Sequence, residues 1–109
     1  MKRLLLLLIC FLPLQLFAEN PIDDDCTFNG IPLRGKVYVY DTFGLADVNI
    51  AVVLEGAEDL RVNLKSCCAE ECGEWELIEN PALADFTICI VQIGVEDFLI
   101  AYSPINGLR

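Results

Sequence analysis

From residue 36 onward, apolar residues alternate with polar ones along several short segments. A period of two with many β-branched and aromatic residues is typical of β-strands that turn one face towards a core. The clearest segments are Val48–Val52, Leu60–Leu64, Phe86–Ile90 and Phe98–Tyr102. After the first eighteen residues, only residues 69–75 are compatible with a turn of helix. The alternation therefore predicts an all-β domain built from short strands.

These segments also repeat at fixed distances along the chain. Residues 46–50 are echoed twelve residues later by residues 58–62, and residues 84–88 are echoed twelve residues later by residues 96–100. The two pairs are themselves 38 residues apart, with identical residues at many positions. The pattern indicates an internal duplication of a two-strand unit, because internal repeats of this kind decide the architecture. An antiparallel meander and a small barrel both fit these repeats.

An aspartate stands at the turn before each repeated strand. The four predicted turn acids are Asp47, Asp59, Asp85 and Asp97. Their carboxylates are expected to accept hydrogen bonds from the backbone N–H groups just ahead, which closes an Asx-type turn. Gly56 and Gly94 precede two of these acids, where a turn needs positive φ. A calcium site is the alternative, but neither the EF-hand nor the glycine-rich nonapeptide pattern is present.

The beginning of the chain has the order of a secretory signal peptide. Lys2 and Arg3 precede a continuous apolar run, and Ala18 stands before a polar shift. The apolar stretch ends after about 15 residues, whereas a spanning helix needs about 20. We therefore divide the chain into a signal peptide over residues 1–18, an acidic N-terminal segment over residues 19–34, and a repeat-built β domain over residues 35–109.

Cleavage after residue 18 leaves one small and strongly acidic domain. Loss of Lys2 and Arg3 changes the formal charge from −10 to −12 in a chain of 91 residues. Such a charge argues against binding to nucleic acid or to an anionic membrane surface. The sequence therefore predicts a secreted or periplasmic protein that has no membrane association after signal cleavage.

Five cysteines remain after the predicted cleavage, and an oxidising compartment favours their pairing into disulfides. They are Cys26, Cys67, Cys68, Cys72 and Cys89. Two bridges leave one thiol unpaired, and five choices of that thiol with three pairings of the other four give 5 × 3 = 15 arrangements, so the connectivity stays open. Adjacent cysteines are expected to bridge to separate partners, here Cys26 and Cys89. The alternative function is a thiol-reactive or redox protein that uses the Cys67, Cys68 and Cys72 cluster.

The residue types present argue against an enzyme. The chain contains no histidine, so neither Ser66 nor Ser103 has the usual base to activate it as a nucleophile. The same absence, together with the lack of a C-x-x-C pair, argues against a zinc site or a redox dithiol. We expect a non-catalytic structural or binding domain without a cofactor, whose partner is an unknown envelope or extracellular protein or glycan.

Three features together resemble a known family. Residues 37–41 read Val-Tyr-Val-Tyr-Asp and lead into Ala46-Asp47, the Asp-apolar-x-Ile/Val units repeat, and Trp75 opens the third strand segment. Over about residues 35–108 the chain is similar to the septoil knot domain family, formerly a domain of unknown function. The resemblance implies a compact β domain whose backbone is wound as a seven-crossing torus knot, and it implies no established activity.

Overall fold

The computed structural model describes residues 20–108, so the predicted signal peptide over residues 1–18 lies outside the described residues. The described chain consists of short strands and one 3-10 turn at Pro81–Leu83. In chain order the strands are β1 (Thr27–Phe28), β2 (Ile31–Pro32), β3 (Gly35–Tyr40), β4 (Val48–Val52), β5 (Leu60–Leu64), β6 (Glu74–Leu77), β7 (Phe86–Ile90), β8 (Phe98–Tyr102) and β9 (Gly107–Leu108). The prediction of an all-β domain is confirmed.

The period of two located four strands correctly, and the suggested helical turn is wrong. The bounds of β4, β5, β7 and β8 coincide with the four segments that the alternation predicts. Residues 69–75 instead contain a turn and the start of β6. Trp75 explains the difference, because its buried side chain and its pairing with Gly35 and Leu64 require an extended backbone.

Strands β3 to β8 form a closed barrel in which every neighbouring pair is parallel. The order around the barrel is β3, β7, β4, β8, β5 and β6, and β6 pairs back to β3. Strand β9 adds an antiparallel pairing to β5. Of the two architectures that the repeats allow, the small barrel is therefore correct and the antiparallel meander is wrong.

Most connections step over one intervening strand. Between β7 and β8, the N–H of Val91 donates to the carbonyl of Ile50 and the N–H of Asp97 donates to the carbonyl of Asn49, at 2.8 and 2.7 Å. Both acceptors belong to β4, so residues 91–97 cross the outside of that strand. Residues 53–59 are bonded to β8 in the same way, and residues 78–85 are bonded to β3.

A staggered register makes these short crossings possible. Ile50 in β4 pairs on one side with Ile90, the last residue of β7, and on the other side with Phe98, the first residue of β8. Strand β7 therefore ends close to where β8 begins, and the connection has only the width of β4 to cross. A stagger of this kind accompanies strongly tilted strands in a barrel.

Large apolar side chains fill the barrel interior. Trp75 and Phe86 meet edge to face, with ring centroids 5.5 Å apart and an interplanar angle of 81°. The other fully buried large side chains are Phe98, Leu33, Ile50, Leu60, Ile88, Ile100, Val37, Val48 and Val62. Burying each such side chain contributes about 1.5–3 kcal/mol to the free energy of folding, so these interior side chains are the main source of stability.

Several outward-facing positions are buried as well. Ala51, Cys89 and Ala101 follow inward-facing isoleucines in β4, β7 and β8, yet each is at most 3% exposed. Parallel sheets are normally covered on both faces, usually by helices. Here the crossing connections take the place of helices, which explains the small side chains beneath them.

The N-terminal segment closes the end of the barrel where the strands begin. Leu33 is fully buried, and its carbonyl accepts a hydrogen bond from the indole N–H of Trp75 at 3.0 Å. Phe28 packs against Phe98 with ring centroids 5.3 Å apart, and the Asn20 side-chain amide donates to the carbonyl of Asp59. The two ends of the barrel therefore differ, because these contacts all lie at strand starts.

Candidate functional surface

The predicted turn acids join neighbouring strands at their N-terminal ends. The N–H of Lys36 donates to Asp85 Oδ2, and the N–H of Asn49 donates to Asp97 Oδ2, both at 2.8 Å. In return, the N–H of each aspartate donates to the carbonyl of the same partner. Each carboxylate thus supplies an acceptor that continues the parallel ladder one step beyond the strand.

The other two acids act in a similar way. The N–H of Leu99 donates to Asp59 Oδ2, and the N–H of Thr87 donates to Asp47 Oδ2. The donors come from the adjacent strand, at least 40 residues away, and not from the backbone just ahead as the Asx-turn expectation supposed. A local pattern cannot reveal such donors, because they become neighbours only when the barrel closes.

These acids do not converge on one point. They stand at the starts of four different strands, and each already accepts a backbone hydrogen bond. Among residues 20–108, no group of three or more cysteine, aspartate or glutamate side chains is arranged to hold a metal ion. Each of these acids therefore has a structural partner at the start of a different strand.

Two glycine and glutamate pairs shape equivalent turns. Gly56 and Gly94 have φ of 110° and 118°, as the sequence predicts, and each N–H donates to the glutamate two residues later at 2.6 Å. Those acceptors are Glu58, which is buried, and Glu96. A hydrogen bond from the Gly94 N–H, and to a lesser degree one from the N–H of Glu96 itself, holds the pKa of Glu96 below its usual value.

The cysteines form two bridges with a connectivity that the sequence did not predict. Cys26 is bonded to Cys72, Cys67 is bonded to its neighbour Cys68, and Cys89 is a buried free thiol. The expectation that the adjacent cysteines bridge to Cys26 and Cys89 is therefore wrong. Cys89 lies within β7, in register with Tyr40 and Asn49.

We define the cysteine loop as residues 65–73, which connect the adjacent strands β5 and β6. Glu74 anchors it: Oε1 accepts from the N–H groups of Glu70 and Glu71 at 3.0 and 3.1 Å, and Oε2 lies 3.6 Å from Lys65 Nζ. The N–H groups of Glu70 and Glu71, and then the Lys65 charge, hold the pKa of Glu74 below its usual value.

A small cleft borders this loop at the start of β3. It has a volume of about 220 Å³ and is lined by Pro32, Arg34, Gly35, Ala69 and Asp85. Arg34 is exposed, whereas one Asp85 oxygen is engaged by the Lys36 N–H. The cleft is too small to enclose a drug-sized ligand, since such sites occupy about 300–1,000 Å³.

The opposite end of the barrel carries exposed apolar side chains. We call the following residues the apolar end, because five of them finish parallel strands and the sixth follows β4 closely: Val52, Leu64, Leu77, Ile90, Tyr102 and Leu54. Exposure runs from 39% for Val52 to 86% for Leu54. Sequence reasoning missed this surface, because the strand-final residues continue the inward-facing row and look like core.

Comparison with known proteins gives a family match alone. A family model described as the 7(1) septoil knot domain matches residues 30–106. No curated protein and no solved structure matches the chain. Within the described residues, no helix has the length and apolar character that a membrane crossing requires.

Proposed function

This chain belongs to the 7(1) septoil knot domain family, and on that premise we propose that it is an exported, non-catalytic binding or structural domain. The observation that carries the proposal is the set of exposed apolar side chains at the apolar end of the barrel. Large side chains fill the barrel interior, and the apolar end exposes six apolar residues to solvent. Contiguous exposed apolar surface commonly marks a site of interaction with another molecule.

The chemistry of the polar residues supports a non-catalytic role. In each of the four turn acids, one carboxylate oxygen accepts a hydrogen bond from a backbone N–H group. The sequence contains no histidine that could act as a general base. One oxygen of each of these carboxylates is therefore already occupied in strand pairing. A panel of hydrolytic substrates should therefore show no turnover above that of heat-denatured protein.

Export is supported by the signal-like N-terminus and by the two disulfides, since structural disulfides persist in oxidising compartments. The test is to express the full chain with its own N-terminus and to measure the intact mass of the product outside the cytoplasm. After thiol alkylation under denaturing conditions, we expect a chain that begins at Glu19 and carries one alkyl group. A cytoplasmic product that retains Met1 and five or more free thiols would contradict export.

The partner that best fits the apolar end is an envelope or extracellular protein with an apolar contact face. A glycan is the second candidate for this non-catalytic binding role. The acidic charge of the chain disfavours anionic partners, and it adds electrostatic attraction towards a partner whose rim is basic.

A photo-crosslinker placed at Leu54 tests whether the apolar end meets such a partner. Position 54 is 86% exposed, so the probe should not disturb folding. The matched control is Asp24, which is also exposed but belongs to the segment that covers the other end. We expect one adduct from position 54 in the native host, competed by excess mature domain and not by its Leu54→Asp variant. Equal adducts from both positions, or none, would leave a purely structural role.

We also infer from family membership that the backbone is wound as a torus knot. The interleaved path supports this inference, because β7 and β8 occupy the places that β3, β4 and β5 leave between them. Force unfolding by residues 20 and 108, with both disulfides reduced, tests it, because the Cys26–Cys72 bridge alone would shorten the stretched chain. A knot should keep the stretched chain shorter than the roughly 3.3–3.6 Å per residue of a fully extended one. Full extension would contradict the knot.

We infer an internal duplication from the repeats at twelve and 38 residues. In the barrel this is supported by Asp59 and Asp97, which make the same two hydrogen bonds with a neighbouring strand. Asp59 makes them with Leu99 of β8, and Asp97 makes them with Asn49 of β4. If the units are equivalent, replacing residues 91–97 with the sequence of residues 53–59 should preserve a cooperative unfolding transition. A chain that fails to fold after this exchange, while the reverse exchange also fails, would argue against equivalence.

A further inference from the structure

The Cys67–Cys68 bridge is poorly suited to a role in global stability. Its two cysteines are adjacent in sequence, so it encloses no chain between them, and both are exposed. Cys26 and Cys72, in contrast, are separated by 46 positions, and Cys26 is buried. A disulfide stabilises a fold mainly by restricting the unfolded chain, and the effect grows with the length of chain enclosed.

The barrel does not depend on the adjacent pair to hold its cysteine loop. The Lys65 N–H donates to the Trp75 carbonyl at 2.8 Å where the loop leaves β5. The Gly73 N–H donates to the Leu33 carbonyl at 3.0 Å where it returns. Both ends of the loop are therefore fixed by backbone bonds that remain when the adjacent pair opens.

Opening the adjacent pair would change the shape of the loop. Cys68 has φ of 65°, a left-handed conformation that L residues with a side chain rarely adopt. The bridge to Cys67 restrains this residue, and the next residue, Ala69, lines the cleft beside Arg34 and Asp85. Relaxation of Cys68 would therefore move one wall of that cleft.

We propose that the Cys67–Cys68 disulfide is a thiol-exchange site that low-molecular-weight thiols open, and that the corresponding oxidised disulfides close, while the barrel stays folded. An attacking thiolate forms a mixed disulfide with one cysteine and releases the other as a thiolate. A second thiol then attacks the mixed disulfide. The products are the protein dithiol and one oxidised small-molecule disulfide, so two thiols are oxidised for each bridge reduced. This inference goes beyond the proposed binding function and does not require it.

The test is a redox titration of the mature domain in glutathione mixtures, with free thiols alkylated at equilibrium and located by peptide mass. The protein carries Cys89→Ala, which removes the one unpaired thiol and avoids exchange with it. The redox condition is expressed as the squared concentration of reduced glutathione divided by that of oxidised glutathione. We expect half of the Cys67–Cys68 pair to be reduced at a value of this ratio at least tenfold lower than the value that half-reduces Cys26–Cys72. Reduction of both pairs together, or a bridge between another pair, would overturn the proposal.

A second readout separates local opening from unfolding. Amide NMR shifts should change on reduction for the cysteine loop and Arg34, and should stay constant for Ile93 on a distant connection. The Cys67→Ser, Cys68→Ser double variant should reproduce the reduced spectrum without added thiol. Shift changes throughout the barrel would overturn the proposal. Crosslinking from Leu54 does not involve this loop, so failure here leaves the proposed binding function untouched.

Discussion

Asp59 and Leu99 exchange two hydrogen bonds between neighbouring strands of the barrel. The N–H of Asp59 donates to the carbonyl of Leu99, and the N–H of Leu99 donates to Asp59 Oδ2, each at 2.9 Å. The aspartate thereby uses its side chain as a second backbone acceptor. Asp59 thereby joins the start of β5 to β8, although Leu99 lies 40 positions later in the chain.

Removal of this carboxylate should destabilise the domain measurably. In the Asp59→Ala variant the partly buried Leu99 N–H loses its acceptor, and such a loss costs about 1–3 kcal/mol. Asp59→Asn retains an oxygen acceptor and should lose less than half as much. Urea unfolding at pH 7 measures the difference, and Asp24→Ala serves as the control on an exposed acid. Equal stability of Asp59→Ala and the control would contradict the ladder role.

The two disulfides should differ greatly in their effect on stability. For the 46-position separation of Cys26 and Cys72, the chain-entropy model gives a loss of about 4 kcal/mol when both are replaced by serine. The Cys67→Ser, Cys68→Ser variant should lose less than about 1 kcal/mol on the same model. Thermal unfolding of the two double variants makes this comparison, and similar losses would show that the adjacent pair has a stabilising role.

Two glycines allow the cost of a steric collision to be separated from the cost of positive φ. Gly35 and Gly44 have φ of 103° and 100°, so alanine is strained at both. A Cβ at Gly35 would collide with the carboxylate of Asp85, whereas a Cβ at Gly44 has open space. We expect Gly35→Ala to cost about 1–3 kcal/mol more than Gly44→Ala, because it also breaks the bond from Lys36 to Asp85.

That comparison has its own internal check. If the extra cost at Gly35 arises from the lost bond to Asp85, combining Gly35→Ala with Asp85→Ala should add little further destabilisation. Additive losses measured by urea unfolding would point to a different origin.

The anchor of the cysteine loop predicts a dependence of stability on pH. Because backbone N–H groups lower the pKa of Glu74 below 4.5 in the folded state, its contribution is complete above that value. The contribution is lost as pH falls through the lowered folded pKa. Glu74→Gln should therefore be less stable than wild type at pH 7, with the difference shrinking towards pH 3. Urea unfolding across this range measures it, and a difference between the two proteins that stays constant from pH 7 to pH 3 would contradict the anchoring role of Glu74.

Local alternation predicted where the chain is extended, and it could not predict how the strands pair. The bounds of β4 and β7 followed from the pattern because inward and outward residues alternate in every half-buried strand. The same alternation fits parallel and antiparallel partners equally well. The direction emerged only from registers such as Ile50 with Phe98.

The candidate surface was harder to foresee for the same reason. Tyr102 has the apolar character and phase of a core residue, yet it is exposed because β8 ends there. The bond between Cys67 and Cys68 was likewise not predicted, because spacing alone does not show that Cys89 is buried within β7 as a free thiol.

The strand order of the barrel also has a consequence for synthesis on the ribosome. Of the six barrel strands, β3, β4 and β5 are made first, but none of them borders another, and the gaps between them are filled by β7 and β8. A nascent chain that has reached β6 lacks the partners that separate its first three strands. The barrel wall therefore cannot close until residue 102, the last residue of β8, has been translated.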